Sequence, residues 1–267
     1  MKLDVGSLLG AVVGVGAVLV GNALEGGHMS ALVQPTALLI VVGGTVGATM
    51  LGFPLPVFIQ AVKALREVFS ESTQDAQAIV EEIVTYGQKA RRDGIIAIEE
   101  QIESASHPFL YKALLMAVDG ADSKTMRDSL ELMISHYEDD REKLAKVWES
   151  AGGYSPTIGI IGAVMGLIHV MQNLADVSAV GKGIAVAFVA TIYGVAFANL
   201  LLLPVAYKLK LKLKAETKLL EMMMEGALAI QEGMNPSLIR EKLQSFYQQS
   251  PKNKRREGAG TPAEASI

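Results

Sequence analysis

The sequence contains no cysteine, so neither a disulfide framework nor thiol chemistry enters its structure or function. Aromatic residues make up only 6% of the chain, and charged residues only 19%. The net charge of −4 at pH 7 gives no reason to expect a nucleic-acid partner. These shortages exclude a disulfide-stabilised secreted domain, and they leave a chain dominated by small and aliphatic side chains.

Half of all residues (50%) are hydrophobic, and many of them lie in four long apolar runs that contain almost no charge. The runs, which we number as spans one to four, cover Leu3–Val20, Pro35 to about Phe53, Tyr154 to about Leu174, and Gly183–Leu203. Each approaches the length of about 20 residues with which a helix crosses the hydrocarbon core. The sequence therefore predicts a polytopic membrane protein. The alternative for the first run is a cleaved signal peptide, but its weak positive n-region and its glycine ladder favour a packed helix.

Span four carries small residues at four-residue steps. The two rows are Gly183, Ala187 and Thr191, and Ala190, Gly194 and Ala198. Such rows let helix backbones approach closely inside a membrane, where close packing drives helix association. The pattern predicts a helix packed in a bundle, with Thr191 as the one hydroxyl deep in it.

Residues 57–153 are different in character, because they hold eleven of the Lys and Arg residues and their apolar residues recur at helical spacing. We therefore expect an all-α fold: four transmembrane helices with a helical cytoplasmic domain inserted between spans two and three. Within it a long helix is expected from Ser123 to Trp148. The third span is expected to start at Tyr154-Ser155-Pro156, and the fourth to end at Pro204.

The expected divisions of the chain follow the same reading. They are 1–56 for spans one and two with a short periplasmic loop, 57–153 for the cytoplasmic domain, 154–207 for spans three and four, 208–250 for C-terminal cytoplasmic helices, and 251–267 for a disordered tail. The tail from Lys208 onward holds eleven more Lys and Arg, whereas the first outer loop has none and the second has only Lys182. The positive-inside rule then places both termini and the inserted domain in the cytoplasm.

Titratable groups are missing from the middle of every span. Asp4, Asp176 and Lys182 fall at span ends, and His169 lies near the outer end of span three. His169 is either part of a proton relay or, as its depth favours, an interfacial histidine bonded to backbone or water. There is no phosphate loop, metal-ligand cluster or nucleophile–base pair, so we expect no enzyme activity, no metal and no cofactor. Such a chain can supply walls and a hydroxyl for a carboxylate brought by another chain.

Four motifs together resemble the MotA family of flagellar motor stator subunits, within the MotA/TolQ/ExbB proton channel superfamily. They are Gly43-Gly44-Thr45 with Gly47-Ala48; Ala187-Phe-Val-Ala-Thr191-Ile-Tyr-Gly194 followed by Pro204; Ala90-Arg91-Arg92-Asp93-Gly94 with Glu99; and Pro156 with Gly159, Gly162 and Gly166. The resemblance runs from Leu3 to about Gln248 and includes the topology.

The resemblance implies a homo-pentamer in the bacterial inner membrane around a dimer of a MotB-type single-span subunit, which carries an ion-binding Asp. Ion flow would turn the pentamer against the rotor protein FliG, with Arg91 and Glu99 as the rotor-contact charges. Pro156 and Pro204 would shape the cytoplasmic end of the ion pathway, and Thr191 would face the partner's Asp. Sodium-type relatives place a second threonine seven residues after the third-span proline; here that position is Ala163, which implies H⁺ as the transported ion.

Each of these residues also has a simpler interpretation. Arg91 and Glu99 are solvated surface charges, and the two prolines merely begin and end helices. The Thr191 hydroxyl bonds its own helix. Two other functions stay open from the sequence: an ExbB/TolQ-type energiser of outer-membrane processes, and a membrane scaffold that conducts no ions.

Overall fold

The computed structural model describes residues 3–70 and 75–246, so the expected tail at 251–267 lies outside the described residues. Within these ranges the chain is helical, and the one β-type contact is an isolated bridge between Leu3 and Ser70. The α-helices there are α1 (Val5–Leu24), α2 (Pro35–Leu38), α3 (Gly44–Gly52), α4 (Leu55–Val68), α5 (Ala76–Asp93), α6 (Glu99–Ile102), α7 (Pro108–Val118), α8 (Ser123–Gln172), α9 (Val177–Phe197), α10 (Leu203–Gln231) and α11 (Pro236–Gln244).

Four helical stretches of the described chain are long and apolar enough to cross a membrane. They are Val5–Leu24, Met29–Gly52, Ser123–Gln172 and Val177–Gln231. The prediction of an all-helical chain with four apolar helices is therefore confirmed. Two π-helical turns, Leu39–Gly43 and Ala198–Leu202, interrupt the regular geometry of spans two and four without ending them.

The chain divides into two compact units, each built from two separate stretches. The first unit comprises residues 1–73 and 139–213. One of its apolar clusters joins spans two and four through Ala37, Val41, Val189 and Ala190. A second cluster joins α4, α8 and α10 around Ala61, Ala64, Val147, Val205 and Leu209. The second cluster is reinforced by Trp148, whose indole N–H donates to the Ala61 carbonyl at 2.9 Å.

The described residues of the second unit are 75–138 and 214–246. Its helices start and end at recognisable signals: Asp75 caps α5 by accepting from the Gln77 amide at 2.9 Å, and Gly94, with φ of +90°, ends it. Pro108 and Pro236 occupy the first turns of α7 and α11, where a missing N–H costs nothing. The largest fully buried side chains of this core are Ile83, Ile98, Ile102, Leu110, Leu114, Met126, Leu130, Met222, Met223, Leu228, Ile239 and Leu243.

Pro156 and Pro204 lie within continuous helices, which corrects the expectation that span three starts at the first and span four ends at the second. The helix predicted from Ser123 to Trp148 begins as expected but continues to Gln172, with Pro156 inside its 50 residues. Pro204 is the second residue of α10, which continues to Gln231. Proline lacks an N–H and crowds the carbonyl four residues earlier, which is Leu200 for Pro204. The wider π-helical turn Ala198–Leu202 lies where that crowding occurs, so the helix can absorb the proline without breaking.

Candidate functional site

The third and fourth spans pack through residues that have almost no side chain. A methyl group built on Gly194 would lie 2.7 Å from the Ser155 carbonyl oxygen, and one on Gly159 would lie 2.9 Å from the Ala190 carbonyl oxygen. Nearer the outer end, a methyl on Gly166 would lie 2.8 Å from the Gly183 carbonyl oxygen. The small residues of span four therefore form its contact with span three, because only glycine lets the two backbones come this close.

Pro156 belongs to this interface, since its Cα would lie 3.3 Å from a methyl group on Gly194. The neighbouring Ser155 is buried, and its hydroxyl donates to the Gly194 carbonyl at 2.9 Å. Ala163 lies on the same helix next to Gly162 and is half-buried. Its methyl group offers no oxygen to an ion at that level of span three.

Thr191 lies outside the tightly packed stripe, on an exposed face of α9. Its hydroxyl donates to the Ala187 carbonyl at 3.1 Å, so the simpler interpretation of this hydroxyl describes its geometry in the single chain. The bond uses the proton and leaves the oxygen lone pairs available. Thr191 lines an open groove of about 410 Å³ together with Val18, Ile192, Val195, Ala196, Asn199 and Leu200. The surface of this groove is formed by apolar atoms, so Thr191 and Asn199 line it through their carbon atoms.

Pro204 lines a second groove, of about 360 Å³, between α1 and span four. Asn199 and Leu200 line both grooves, so Thr191 and Pro204 face one continuous side of span four. Asn199 is the one amide of span four, and no functional role was assigned to it from the sequence. Its side-chain N–H donates to the Val195 carbonyl at 2.9 Å.

Charged residues close the Pro204 groove at the start of α1. The Asp4 carboxylate accepts from the Ser7 amide at 3.0 Å and pairs with the Lys208 ammonium at 2.6 Å. The hydrogen bond from Lys208, followed by that from Ser7, lowers the pKa of Asp4 to about 2. The Asp4 amide also donates to the Phe69 carbonyl at 3.0 Å. These contacts fix the beginning of α1, a helix that has no buried residue of its own.

The two expected rotor-contact residues belong to the second unit and are both exposed. Arg91 lies in the last turn of α5, and Glu99 is the first residue of α6, positions where the helix dipole favours a cation and an anion respectively. Gly94 turns the chain between them. No hydrogen bond or ion pair joins Arg91 to Glu99 within the described residues, whereas the adjacent Arg92 pairs with Asp93 at 2.8 Å. Arg91 also lines a cavity of about 250 Å³ beside Ala90, Ile95, Ala117, Gly120 and Gly233.

His169 is exposed near the C-terminal end of α8, and its backbone carbonyl accepts a hydrogen bond from the side-chain amide of Asn173 at 2.9 Å. Across residues 3–70 and 75–246, no group of three or more His, Asp or Glu side chains is arranged to hold a metal ion. The polar residues that line the two grooves are Thr191 and Asn199 on span four, with Ser7 and Lys208 at the second groove.

The chain has four apolar helices, and its third and fourth spans pack through glycine. Span four also carries two exposed polar residues, Thr191 and Asn199, which we call the polar track. These features define the class as a multi-pass helical membrane protein. Comparison with protein families gives the particular one. Residues 8–94 match the family described as Motility protein A N-terminal, and residues 101–222 match the MotA/TolQ/ExbB proton channel family.

Individual relatives agree over nearly the whole chain. Motility protein A of Bacillus subtilis (strain 168) is 37% identical over 245 residues, which cover 90% of each chain. Chemotaxis protein PomA of Vibrio alginolyticus is 31% identical over 244 residues, covering 91% of this chain and 95% of that one. This chain belongs to the Motility protein A family.

Solved structures are similar over the same length. The structure of C. jejuni MotAB matches with a TM-score of 0.87 at 30% identity and covers 93% of this chain and 98% of its own. The flagellar MotAB stator complex from Bacillus subtilis matches with a TM-score of 0.85 at 35% identity, covering 95% and 100% respectively. The resemblance to flagellar stator subunits is thus confirmed, and the chain is a stator subunit of the flagellar motor in the bacterial inner membrane.

Proposed function

We propose that this chain, together with a MotB-type single-span partner, forms a proton pathway whose flow turns the assembly against the rotor. The observation that carries the proposal is the position of Thr191, an exposed hydroxyl-bearing residue that lines an apolar groove in a chain with no carboxylate at mid-span. A pathway needs a group that takes up and releases the ion. The partner's membrane-embedded Asp supplies that group, and Thr191 faces it.

The energies allow the carboxylate to act as a switch. Placing a charged Asp at mid-membrane costs about 2.5–3.5 kcal/mol on insertion scales. A membrane potential of 100 mV supplies about 2.3 kcal/mol for each charge that crosses. Because the two are comparable, an incoming proton that neutralises the Asp changes the contacts between the partner helix and the surrounding ring.

The side chain at position 163 has no oxygen, which supports a proton rather than a sodium ion as the transported ion. A dehydrated sodium ion needs several oxygen ligands, whereas Ala163 contributes only a methyl group on span three. Protonation of a carboxylate needs no such ligand cage. Thr191 lies near the middle of span four, and Asn199, Pro156 and Pro204 lie toward the proposed cytoplasmic end of the pathway.

The charged segment after α5 is proposed to contact the rotor protein FliG. Arg91 and Glu99 are exposed, lie on either side of the Gly94 turn and are not joined to one another, so both are available to a second protein. Their placement at a helix C-terminus and a helix N-terminus stabilises both charges in the absence of that protein. The region at 57–153 and the helices at 208–250 would then project into the cytoplasm, and both termini would lie there.

We assign the chain no catalytic reaction and no cofactor, and we infer a pentamer around a partner dimer. An ExbB/TolQ-type energiser is less well supported, because residues 8–94 match a family described specifically as Motility protein A N-terminal. A scaffold without ion flow does not account for a hydroxyl-bearing and an amide-bearing residue at the grooves of an otherwise apolar span.

The proposal is tested by ion flux through the purified complex with its partner in liposomes. We expect a proton gradient to drive flux without sodium, and Thr191→Val to lower that flux by about tenfold or more, as loss of one polar contact at a transition state does. Thr85→Val is the matched control, since the Thr85 hydroxyl bonds the carbonyl four residues earlier at 2.8 Å but lies in the second unit. Flux that requires sodium would contradict proton coupling, and unchanged proton flux in Thr191→Val would remove the role of the hydroxyl.

A further inference from the structure

Tyr193 makes a pair of hydrogen bonds that join span four to the start of span two. Its hydroxyl donates to the Leu32 carbonyl and accepts from the Gln34 amide at 3.3 Å. Both partners are backbone atoms, so the link depends on Tyr193 and not on the side chains at 32 or 34. The ring packs edge-to-face against Phe197, with centroids 6.3 Å apart, beside the buried cluster of Ala37 and Val41.

The two backbone groups have few other partners. Leu32 ends the turn Met29–Leu32, and Gln34 caps span two without a side-chain bond at a helix whose first residue, Pro35, has no N–H. Unpaired backbone groups are costly wherever lipid replaces water, so a tyrosine that satisfies both is held firmly. The start of span two is thereby fixed at one height and one angle relative to span four.

The position of this link on the helix determines where Thr191 points. Successive residues of an α-helix turn by about 100°, so Tyr193 and Thr191 project about 200° apart. Between them lies the small stripe of Ala190 and Gly194, which packs against span three. On that stripe the directional bond is the one from Ser155 to the Gly194 carbonyl, because glycine and alanine contacts alone tolerate rotation and sliding.

We propose that Tyr193 is a positioning residue for the ion pathway: its hydroxyl fixes the rotation of span four so that Thr191 faces the groove. The inference rests on the proposed function of Thr191. Span four is held by hydrogen bonds on two sides: the Ser155 bond to span three and the Tyr193 bonds to the start of span two. Without the Tyr193 bonds, span four can rotate about the contact with Ser155, and the Thr191 side chain then takes a wider range of orientations.

The test uses the full complex with its partner in liposomes. Tyr193→Phe keeps the ring and removes both hydrogen bonds, and we expect assembly to be retained while proton flux falls by about three- to tenfold, the effect of one or two hydrogen bonds inside a membrane. Tyr154→Phe is the matched control, because Tyr154 is a tyrosine of span three whose hydroxyl forms no hydrogen bond within the described residues. It is expected to leave flux unchanged.

A double-variant cycle separates positioning from simple loss of structure. If Tyr193 acts through Thr191, adding Tyr193→Phe to Thr191→Val lowers flux little further, whereas a general structural defect lowers it by the same factor in both backgrounds. Equal factors, or unchanged flux in Tyr193→Phe alone, overturn the positioning role while leaving the Thr191 proposal in place. Unchanged flux in Thr191→Val overturns the Thr191 proposal, and the positioning role with it.

Orientation is also measurable directly, because the chain has no cysteine of its own. Thr191→Cys introduces a single thiol whose labelling rate by a maleimide in the complex reports its exposure to the pathway. We expect Tyr193→Phe to change that rate several-fold and Tyr154→Phe to leave it as it was. Identical rates in all three backgrounds would show that the tyrosine hydroxyl does not orient the helix.

Discussion

At the scale of single residues, His107 couples helix capping to protonation in the second unit. Its Nδ1 accepts from the Phe109 amide at 3.1 Å and so caps α7. A protonated imidazole has no free acceptor nitrogen, which means that the cap exists only in the neutral form. Burial lowers the pKa of His107 below its ordinary value of 6.5, and the nearby Glu216 and Glu82 oppose this less strongly.

A definite pH dependence of stability follows. Because the folded pKa is below the unfolded one, the unfolded chain binds more protons in the window between them. The stabilisation is therefore complete above pH 6.5 and is lost as the pH falls through the folded pKa. Thermal unfolding of the full chain, measured above and below that pH, is expected to show a lower Tm on the acid side.

Variants separate the cap from other titrating groups. His107→Asn keeps a capping acceptor that does not titrate, so the acid loss of Tm is expected to shrink. His107→Ala is expected to lower the free energy of unfolding by about 1 kcal/mol above pH 6.5 and by less at acid pH, where the wild-type cap is itself lost. His136→Asn, at an exposed histidine of α8, is the control. An acid loss that persists unchanged in His107→Asn would assign the effect to another group.

The site residues differ in how far the sequence reveals them. Thr191 is visible in the sequence because a lone hydroxyl in an apolar run has few neighbours to explain it. The link from Tyr193 to residues 32 and 34 is not, since it joins positions far apart in the chain. The same holds for Asp4 and Lys208, which look like unrelated charges at two span ends until the helices are packed side by side.

At the scale of elements, the contact between spans three and four depends on glycine. We expect Gly194→Ala to force the two helices apart, because the added methyl would lie 2.7 Å from the Ser155 carbonyl oxygen and 3.0 Å from the Gly159 Cα. Overpacking of this kind costs about 1–3 kcal/mol. The expected result is a lower Tm and lower yield of the complex.

Gly47→Ala provides the comparison, because a methyl group there has no neighbour within 4 Å in the single chain. The two variants add the same atom to a helical glycine, so intrinsic helix propensity cancels between them. Equal Tm values would show that the third and fourth spans do not pack as tightly as the backbone distances indicate. Span two would be implicated instead if Gly47→Ala were the more damaging change.

Helix existence was predictable, but helix continuity was not. Apolar spacing predicted the helical character of residues 57–153 and the start of the long helix at Ser123 because such signals are local. Pro156 and Pro204 are equally local signals for a helix end, yet the helices continue through both positions in the folded chain. The π-helical turn before Pro204 shows how: a change in winding over Ala198–Leu202 accommodates the ring, and such a change has no simple signature in sequence.

At the scale of the whole molecule, much apolar surface of the spans stays exposed in a single chain. On α8 the exposed apolar side chains include Ile160, Val164, Met165 and Ile168, and on α9 Phe188 is 69% exposed. Lipid covers part of such a surface in any membrane protein. The remainder, on the spans that carry the polar track, is suited to neighbouring copies and to the partner helix, as in the MotAB complexes that this chain resembles.

The absence of cysteine gives a clean test of how this molecule lies in the membrane. Single thiols are introduced by His28→Cys, in the expected first outer loop, and by Leu174→Cys, in the turn that follows α8; both positions are exposed. Both thiols should react in intact cells with a maleimide that does not cross the inner membrane. Glu100→Cys, exposed in the second unit, should react only after the membrane is opened, because eleven Lys and Arg between residues 57 and 153 favour retention in the cytoplasm. Labelling of Glu100→Cys in intact cells would place that region outside. It would then be unable to meet the rotor, so the same result would contradict both the inserted cytoplasmic domain and the rotor contact by Arg91 and Glu99.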